Sequence, residues 1–355
     1  MGGGVSGEAW EVPSILYGRP TEIRTGDSLG TLRFTERLRR LSYKRVAGKP
    51  SAAGTWSEEP DRIRLYTRDY RIEEIPHSGS PVEIGVRDGR VASIVSSAGV
   101  PLDSIHLEPE EIGRILGPRM ESRRIVPLSA IPPSLQQAVL AAEDARFYSH
   151  HGIDAIGVSR AIVINLREGR FAQGRSTITQ QLAKNFFLSP KKTIGRKLRE
   201  AELALALELR YPKKTILEMY LNKIYFGQEG ARGIYGVEEA AGFYFSRRAA
   251  DLTLEEAAML AGVIRSPNRY SPFRAPAAAS VRRNTVLARM RQLGMIGEEE
   301  HRRSSRAPVR TQARRSPANM AAYFADYIQR VTEDDLGGEK LFRTGYRFYT
   351  TLDPV

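Results

Sequence analysis

The chain contains no cysteine, so neither a disulfide framework nor a thiolate metal site is open to it. Tryptophan occurs twice and histidine five times, and the one adjacent histidine pair, His150-His151, lacks the clustered Asp or Cys ligands of a metal site. No uninterrupted apolar run reaches the roughly 18 residues that a bilayer-spanning helix needs. The small, polar start MGGGVSGEAWEVPS is unlike a secretory signal, so the sequence as it stands reads as soluble or peripheral. Acid is also scarce: 41 Asp and Glu stand against 54 Lys and Arg, a net charge of +13. That excess calls for an acidic partner, and nucleic acid, an anionic membrane surface and a phosphorylated substrate all satisfy it. At 355 residues the chain is expected to hold about two domains.

The character of the sequence changes part-way along. Residues 1–12 are Gly-rich and read as a flexible tail. Residues 13–108 read as a small α+β domain. Ile15, Tyr17 and Ile23 suggest short strands, Leu29 to Leu41 has helical spacing, and Arg62 to Ile72 alternates as a half-buried strand. Asp88-Gly89 between VEIGVR and RVASIV predicts a hairpin. Residues 109–300 are mostly helical in pattern, with 3.6-residue periodicity over Leu135–Phe147, Ile156–Leu166, Ile194–Leu209, Thr215–Tyr225, Leu254–Ile264 and Val281–Leu293. Residues 301–355 read as an Arg-rich connector followed by the beginning of a further module ending in TTLDPV. The fold class expected is α+β.

The densest chemistry lies in GRSTITQQLAKNFFLSPKKTIGRKLRE, from Gly174 to Glu200. Between Lys184 and Glu200 stand six cations (Lys184, Lys191, Lys192, Arg196, Lys197 and Arg199) and one carboxylate, Glu200 itself. Ser176, Thr177, Thr179, Gln180 and Gln181 can hydrogen-bond sugar hydroxyls or phosphate oxygens, and the cations can neutralise a diphosphate. A solvated basic helix after a polar loop would show the same run of charge.

Two acids differ in surroundings. Glu143 follows Leu135 and Val139 at i+4 on a helix opened by Pro132-Pro133-Ser134, with Ser134 as the expected N-cap. Beside an apolar face its pKa would rise toward the range of a general base, although drift of the row could equally carry it to the surface. Glu200 has Arg196 and Lys197 at i−4 and i−3, which favour its ionised form, while Ile194, Leu198, Leu205 and Leu209 are expected to face the core. One proton-accepting and one charged carboxylate suit sugar transfer, but paired acids are common in any sequence.

EDARFYSHHGID (Glu143–Asp154), QGRSTITQQLAKN (Gln173–Asn185), RKLREAELALALE (Arg196–Glu208), KKTILEMYLNKIYFG (Lys213–Gly227) and RSPNRYSP (Arg265–Pro272) resemble the five ordered motifs of the peptidoglycan glycosyltransferases of family 51. That is the glycosyltransferase module of class A penicillin-binding proteins. The N-terminal part, with PSILYGRP, is similar to the small regulatory domain that precedes the module in 1b-type proteins.

The resemblance implies a lysozyme-like helical domain that polymerises lipid II by inversion, releasing undecaprenyl diphosphate. It casts Glu143 as general base toward the acceptor 4-hydroxyl and Glu200 as the second acid, orienting the donor or a divalent ion. Lys184, Lys192, Arg196, Lys197 and Arg199 would hold the diphosphate, and Ser176, Thr177, Gln180 and Gln181 would contact substrate. His150 would support the loop near Glu143. Two departures from the family pattern, Ala145 and Arg175, remove no group that mechanism needs. No cofactor is certain, with Mg or Mn at the diphosphate the one to consider. Expected partners are lipid II, the growing glycan strand, the membrane surface and a protein activator on the N-terminal domain, with no nucleic acid. The expected location is the periplasmic face of the bacterial inner membrane, although the chain shows no anchor. A lytic glycan-cleaving enzyme is the nearest alternative, disfavoured by the cationic third motif. A non-enzymatic basic membrane- or nucleic-acid-binding protein is the other, and it leaves Glu143 and Glu200 unused.

Overall fold

A computed structural model of the chain describes residues 12–72, 75–157, 159, 176–187, 193–308, 310–311 and 322–354. The expected tail therefore lies outside the described residues except for Val12, as does nearly all of the helix expected over Ile156–Leu166. The chain divides into two compact units, one formed by Pro13–Gly117 with Arg315–Val355, the other by Pro118–Arg314.

In the first unit a five-stranded sheet runs in the order Lys44–Arg45, Thr55–Glu59, Arg62–Tyr66, Pro81–Arg87 and Arg90–Ser96. Alternation places Ile63, Leu65, Val82, Ile84, Val91 and Ile94 in one apolar cluster with Phe34 and Leu38 of the helix Phe34–Arg40. The expected hairpin forms, with Asp88 at φ 51° and Gly89 at φ 71°, the left-handed pair that a tight two-residue turn requires. The strand expected over Arg62–Ile72 is broken into Arg62–Tyr66 and Tyr70–Ile72. Between them the Arg68 guanidinium turns to the Leu41 and Ser42 carbonyls and to Glu108, pulling the chain out of extended register.

The C-terminal stretch is not a separate piece. Arg347–Tyr349 pairs in parallel with Ser14–Tyr17, which pairs antiparallel with Glu111–Ile115, and Leu341 joins Leu16, Ile112 and Ile115 in a small core. A buried guanidinium fastens this end: Arg37 Nη1 donates to Glu110 at 2.8 Å and to Thr21 at 2.7 Å, while Nη2 donates to Asp353 at 2.6 Å. The boundary expected at residue 301 is displaced for a second reason. Glu298–Arg306 is a helix of the other unit, and Arg283 holds its end through the Ser305 and Ala307 carbonyls.

The second unit is mainly helical, and the α+β class follows from the two together. We number its helices α1 Pro133–Glu143, α2 Ile178–Phe187, α3 Ile194–Arg210, α4 Lys213–Lys223, α5 Val237–Phe245, α6 Leu254–Ile264, α7 Pro276–Gln292 and α8 Glu298–Arg306. An apolar core links α1 to α7, with Leu135, Val139, Ile178, Leu182, Tyr220, Leu260 and Leu287 all buried. Helix α6 carries a full capping box between Thr253 and Glu256, and its bounds are those the periodicity predicts. Helix α1 begins two residues earlier than expected, with Pro133 in the first turn, where a missing N–H loses nothing, and Pro132 rather than Ser134 as N-cap.

Candidate active site

Helix α1 stops at Glu143 although the apolar spacing continues to Phe147. The cause is Asp144, which leaves the helix at φ −156°, ψ 76° and places its carboxylate beside two donors. The Ile178 backbone N–H at the start of α2 donates to Oδ2 at 3.0 Å, and His150 Nε2 lies 3.0 Å from both oxygens. Asp144 thus caps α2 from another helix, the favourable place for an anion, and seats the catalytic-candidate helix end against it. His150 does hold the loop after Glu143, as expected, and does so through Asp144.

Glu143 is half-buried at this junction. Its Oε2 accepts from Gln181 Nε2 at 3.0 Å, the same nitrogen lies 3.4 Å from the Ser176 carbonyl, and Gln181 Oε1 accepts from the Tyr220 hydroxyl at 3.1 Å. Burial, and then the negative charges of Glu143 and Asp144, hold the Tyr220 hydroxyl well above its ordinary pKa. It is therefore a proton donor at every working pH.

From Ser176 the network continues outward. Lys197 Nζ donates to Ser176 Oγ at 2.8 Å and pairs with Glu200, whose other oxygen accepts from Arg196 Nη1 at 3.1 Å. The Glu200 side chain is 2% exposed, so two cations one helical turn away supply the countercharge that water cannot. Thr193 caps the helix that presents them, accepting from the Arg196 N–H. The structure thereby joins Glu143, Gln181, Ser176, Lys197, Arg196 and Glu200 in one hydrogen-bonded sequence.

Other expected site residues are placed differently. Thr177 and Gln180 are buried and bonded to each other in a reciprocal cap: the Thr177 N–H donates to Gln180 Oε1 and the Gln180 N–H to Thr177 Oγ1, both at 3.1 Å. Thr177 Oγ1 also donates to the Gly152 carbonyl at 2.6 Å. These two groups, expected to contact substrate, are committed to shaping the start of α2. Thr179 is likewise buried and donates to Glu208, which Lys213 also binds. Lys184 and Arg199 are exposed on α2 and α3. Lys192 lies outside the described residues.

The inner face of α3 is also a correction. Leu198, Leu205 and Leu209, expected in the core, are 62%, 43% and 91% exposed, whereas Glu200 and Ala204 are buried. The helix turns its charged site toward α2 and leaves an apolar row outside. Tyr220 lies within an apolar helical pattern, and its hydroxyl is the one signal that sets it apart: a phenol buried in an apolar cluster needs a partner. Asp144 had a weaker signal, an acid just past an apolar helix. Among the described residues no group of three or more His, Asp and Glu is placed to hold a metal ion. Both oxygens of Glu200 are bonded to cations.

A family profile described as "Transglycosylase" matches residues 108–291, slightly more than half of the chain. The chain belongs to the transglycosylase family. A second profile, "Bifunctional transglycosylase second domain", matches residues 23–107. Penicillin-binding protein 1B of Vibrio cholerae is 34% identical over 98% of this chain and 45% of its own length, and that of Escherichia coli 31% identical over 99% and 42%. Penicillin-binding protein 1A of Escherichia coli is 40% identical over 68% of this chain and 28% of its own. The chain thus spans less than half the length of these relatives. The transglycosylase match covers the whole bonded sequence from Glu143 to Glu200.

Proposed function

We propose that this chain is a peptidoglycan glycosyltransferase that polymerises lipid II into β-1,4-linked glycan with inversion at the donor C1. Glu143 takes the proton of the acceptor 4-hydroxyl as its oxygen attacks C1. The C1–oxygen bond to the diphosphate breaks on the opposite face, and undecaprenyl diphosphate leaves with the electron pair. Lys197 and Arg196, steadied by Glu200, receive that charge, and Lys184, Arg199 and Lys192 are assigned to the same diphosphate from the family resemblance. Ser176 and Gln181 hold the interval between base and cations.

The observation that carries this reading is the continuous path from Glu143 through Gln181 and Ser176 to Lys197 and Glu200, because it joins a proton acceptor to a cationic exit for a leaving group. A lytic enzyme acting on neutral glycan has no use for that exit. A Mg or Mn ion enters this proposal at the diphosphate. No helix among the described residues is long and apolar enough to cross a membrane. The outward leucines of α3, with Phe187 54% exposed, support shallow contact with a lipid surface, and we assign the work to the periplasmic face of the inner membrane. The strand-rich unit contributes none of these site residues, which leaves it for a protein activator.

The deciding assay offers labelled lipid II and, separately, intact glycan. Polymer from lipid II is expected, and Glu143→Gln should reduce its rate by about 10²–10⁴ while the fold persists. Glycan fragments instead of polymer, or near-normal turnover by Glu143→Gln, would overturn the proposal.

A further inference from the structure

We infer that Tyr220 is a positioning residue for the general base: its hydroxyl anchors the oxygen of the Gln181 amide and so holds that amide where it donates to Glu143. The inference rests on the glycosyl transfer proposed above and concerns a side chain that otherwise looks like core, fully buried in helix α4.

Geometry makes the case. An amide side chain offers two donor hydrogens and one acceptor oxygen, and in Gln181 all are used. Nε2 faces two acceptors, Glu143 Oε2 at 3.0 Å and the Ser176 carbonyl at 3.4 Å, and Oε1 faces the Tyr220 hydroxyl at 3.1 Å. Turned over, the amide would set its oxygen against a carboxylate and a carbonyl at once. The two acceptors therefore set the orientation, and the hydroxyl opposite them holds it, because a phenol that keeps its proton has a hydrogen for the Oε1 that would otherwise be buried without a donor. Burial and the adjoining carboxylates Glu143 and Asp144 keep that proton in place. Among the described residues, His150 is bonded to Asp144 and Lys197 to Ser176.

Two consequences follow. A carboxylate that accepts from a fixed amide is favoured in its charged form, which is the form that can take a proton from the acceptor sugar. The same amide also fixes the Ser176 carbonyl, whose residue receives Lys197, so one tyrosine sets the spacing of base and cation together. Tyr220 touches no substrate in this scheme, and its effect should appear in turnover rather than in binding.

The test is a cycle of Tyr220→Phe, Gln181→Leu and the double variant in the full chain, with lipid II polymerisation followed as a function of pH and thermal unfolding measured alongside. Tyr220→Phe should lower kcat about three- to tenfold, the worth of one hydrogen bond to the site, with KM for lipid II nearly unchanged. The acidic limb of the kcat/KM profile should move to higher pH, because a carboxylate that loses a donor binds its proton more tightly. Gln181→Leu should move the limb the same way, and adding Tyr220→Phe to it should change neither kcat nor the limb further. A tyrosine acting only as core would lower the unfolding midpoint, leave the limb in place and reduce kcat equally in both backgrounds, and any of the last two results overturns the inference. Should Tyr220→Phe not fold, an unmoved limb in Gln181→Leu overturns it alone. Absence of polymer from the unaltered chain would instead refute the function proposed above, so the two failures are distinguishable.

Discussion

Replacing Arg196 by Met removes one of the two cations bonded to Glu200 while keeping the length of the side chain. The carboxylate it leaves is 2% exposed and cannot recruit water to replace the 3.1 Å hydrogen bond. A hydrogen bond to a buried charge contributes about 1.5–3 kcal/mol, and stripping a buried pair of its partner costs about 3–5 kcal/mol. Lys197 remains bonded to the other oxygen, which places the expected loss at the lower figure, about 1.5–3 kcal/mol. For a unit of the size of Pro118–Arg314 each kcal/mol moves the unfolding midpoint by about 2–4 °C, so a fall of about 3–12 °C is expected. Lys197→Met should fall less, about 1 kcal/mol or under, because its side chain is 48% exposed and water already screens it. The assay is thermal unfolding near pH 7 of Arg196→Met, Lys197→Met and both in a Glu200→Gln background. With the charge on Glu200 gone, Arg196→Met should cost no more than about 0.5 kcal/mol. An equal drop in both backgrounds, or a Lys197→Met drop matching that of Arg196→Met, would refute the buried-anion argument. In detergent, Arg196→Met should also slow polymerisation at least about tenfold, from loss of a partly desolvated cation at the leaving group. The exposed pair Arg302 and Arg303, neutralised together, should leave that rate within about twofold.

Thr177→Ala should destabilise by about 1–2 kcal/mol, through loss of the cap with Gln180 and the bond to Gly152, and leave KM for lipid II unchanged; a selective rise in KM would return Thr177 to the substrate side. Asp144→Asn removes the negative charge at the start of α2 and turns one of the two oxygens facing His150 into an NH2 donor, so a midpoint several degrees lower and slower turnover are expected, checked by unfolding and kinetics together. The pKa of Tyr244 is pushed up to about 12 by burial, against 10.0 in the open, so the unfolded chain releases that proton first as pH rises. Stability from this group is intact below pH 10 and lost progressively toward about pH 12, by roughly 2–3 kcal/mol, and denaturant titrations should show a shallower alkaline slope in Tyr244→Phe.

Much of this protein was readable because it depends on neighbours in sequence. The 3.6-residue spacing that marks Leu254–Ile264, the Asp88-Gly89 turn between alternating runs, and Arg196 and Lys197 one turn before Glu200 are all local, and each appears in the structure. Local periodicity also misled where a residue had a stronger distant partner. It carried the first helix of the helical unit past Glu143, because nothing nearby reveals that Asp144 answers Ile178 and His150. It also turned Leu198, Leu205 and Leu209 inward, since an amphipathic pattern shows that a helix has two faces and not which face a neighbour will take. The α2–α3 packing made that choice, burying Glu200 and Ala204. The C-terminal stretch joined the first unit by pairing Arg347–Tyr349 with Ser14–Tyr17, a contact across nearly the whole chain that no local signal encodes. The order and identity of the charged groups were thus written in the sequence, whereas the three-way bonding of Gln181 to Glu143, Ser176 and Tyr220 was decided only by tertiary structure. Hydrogen bonding is satisfied in space, and four residues separated by up to 77 positions become neighbours only once the core has closed.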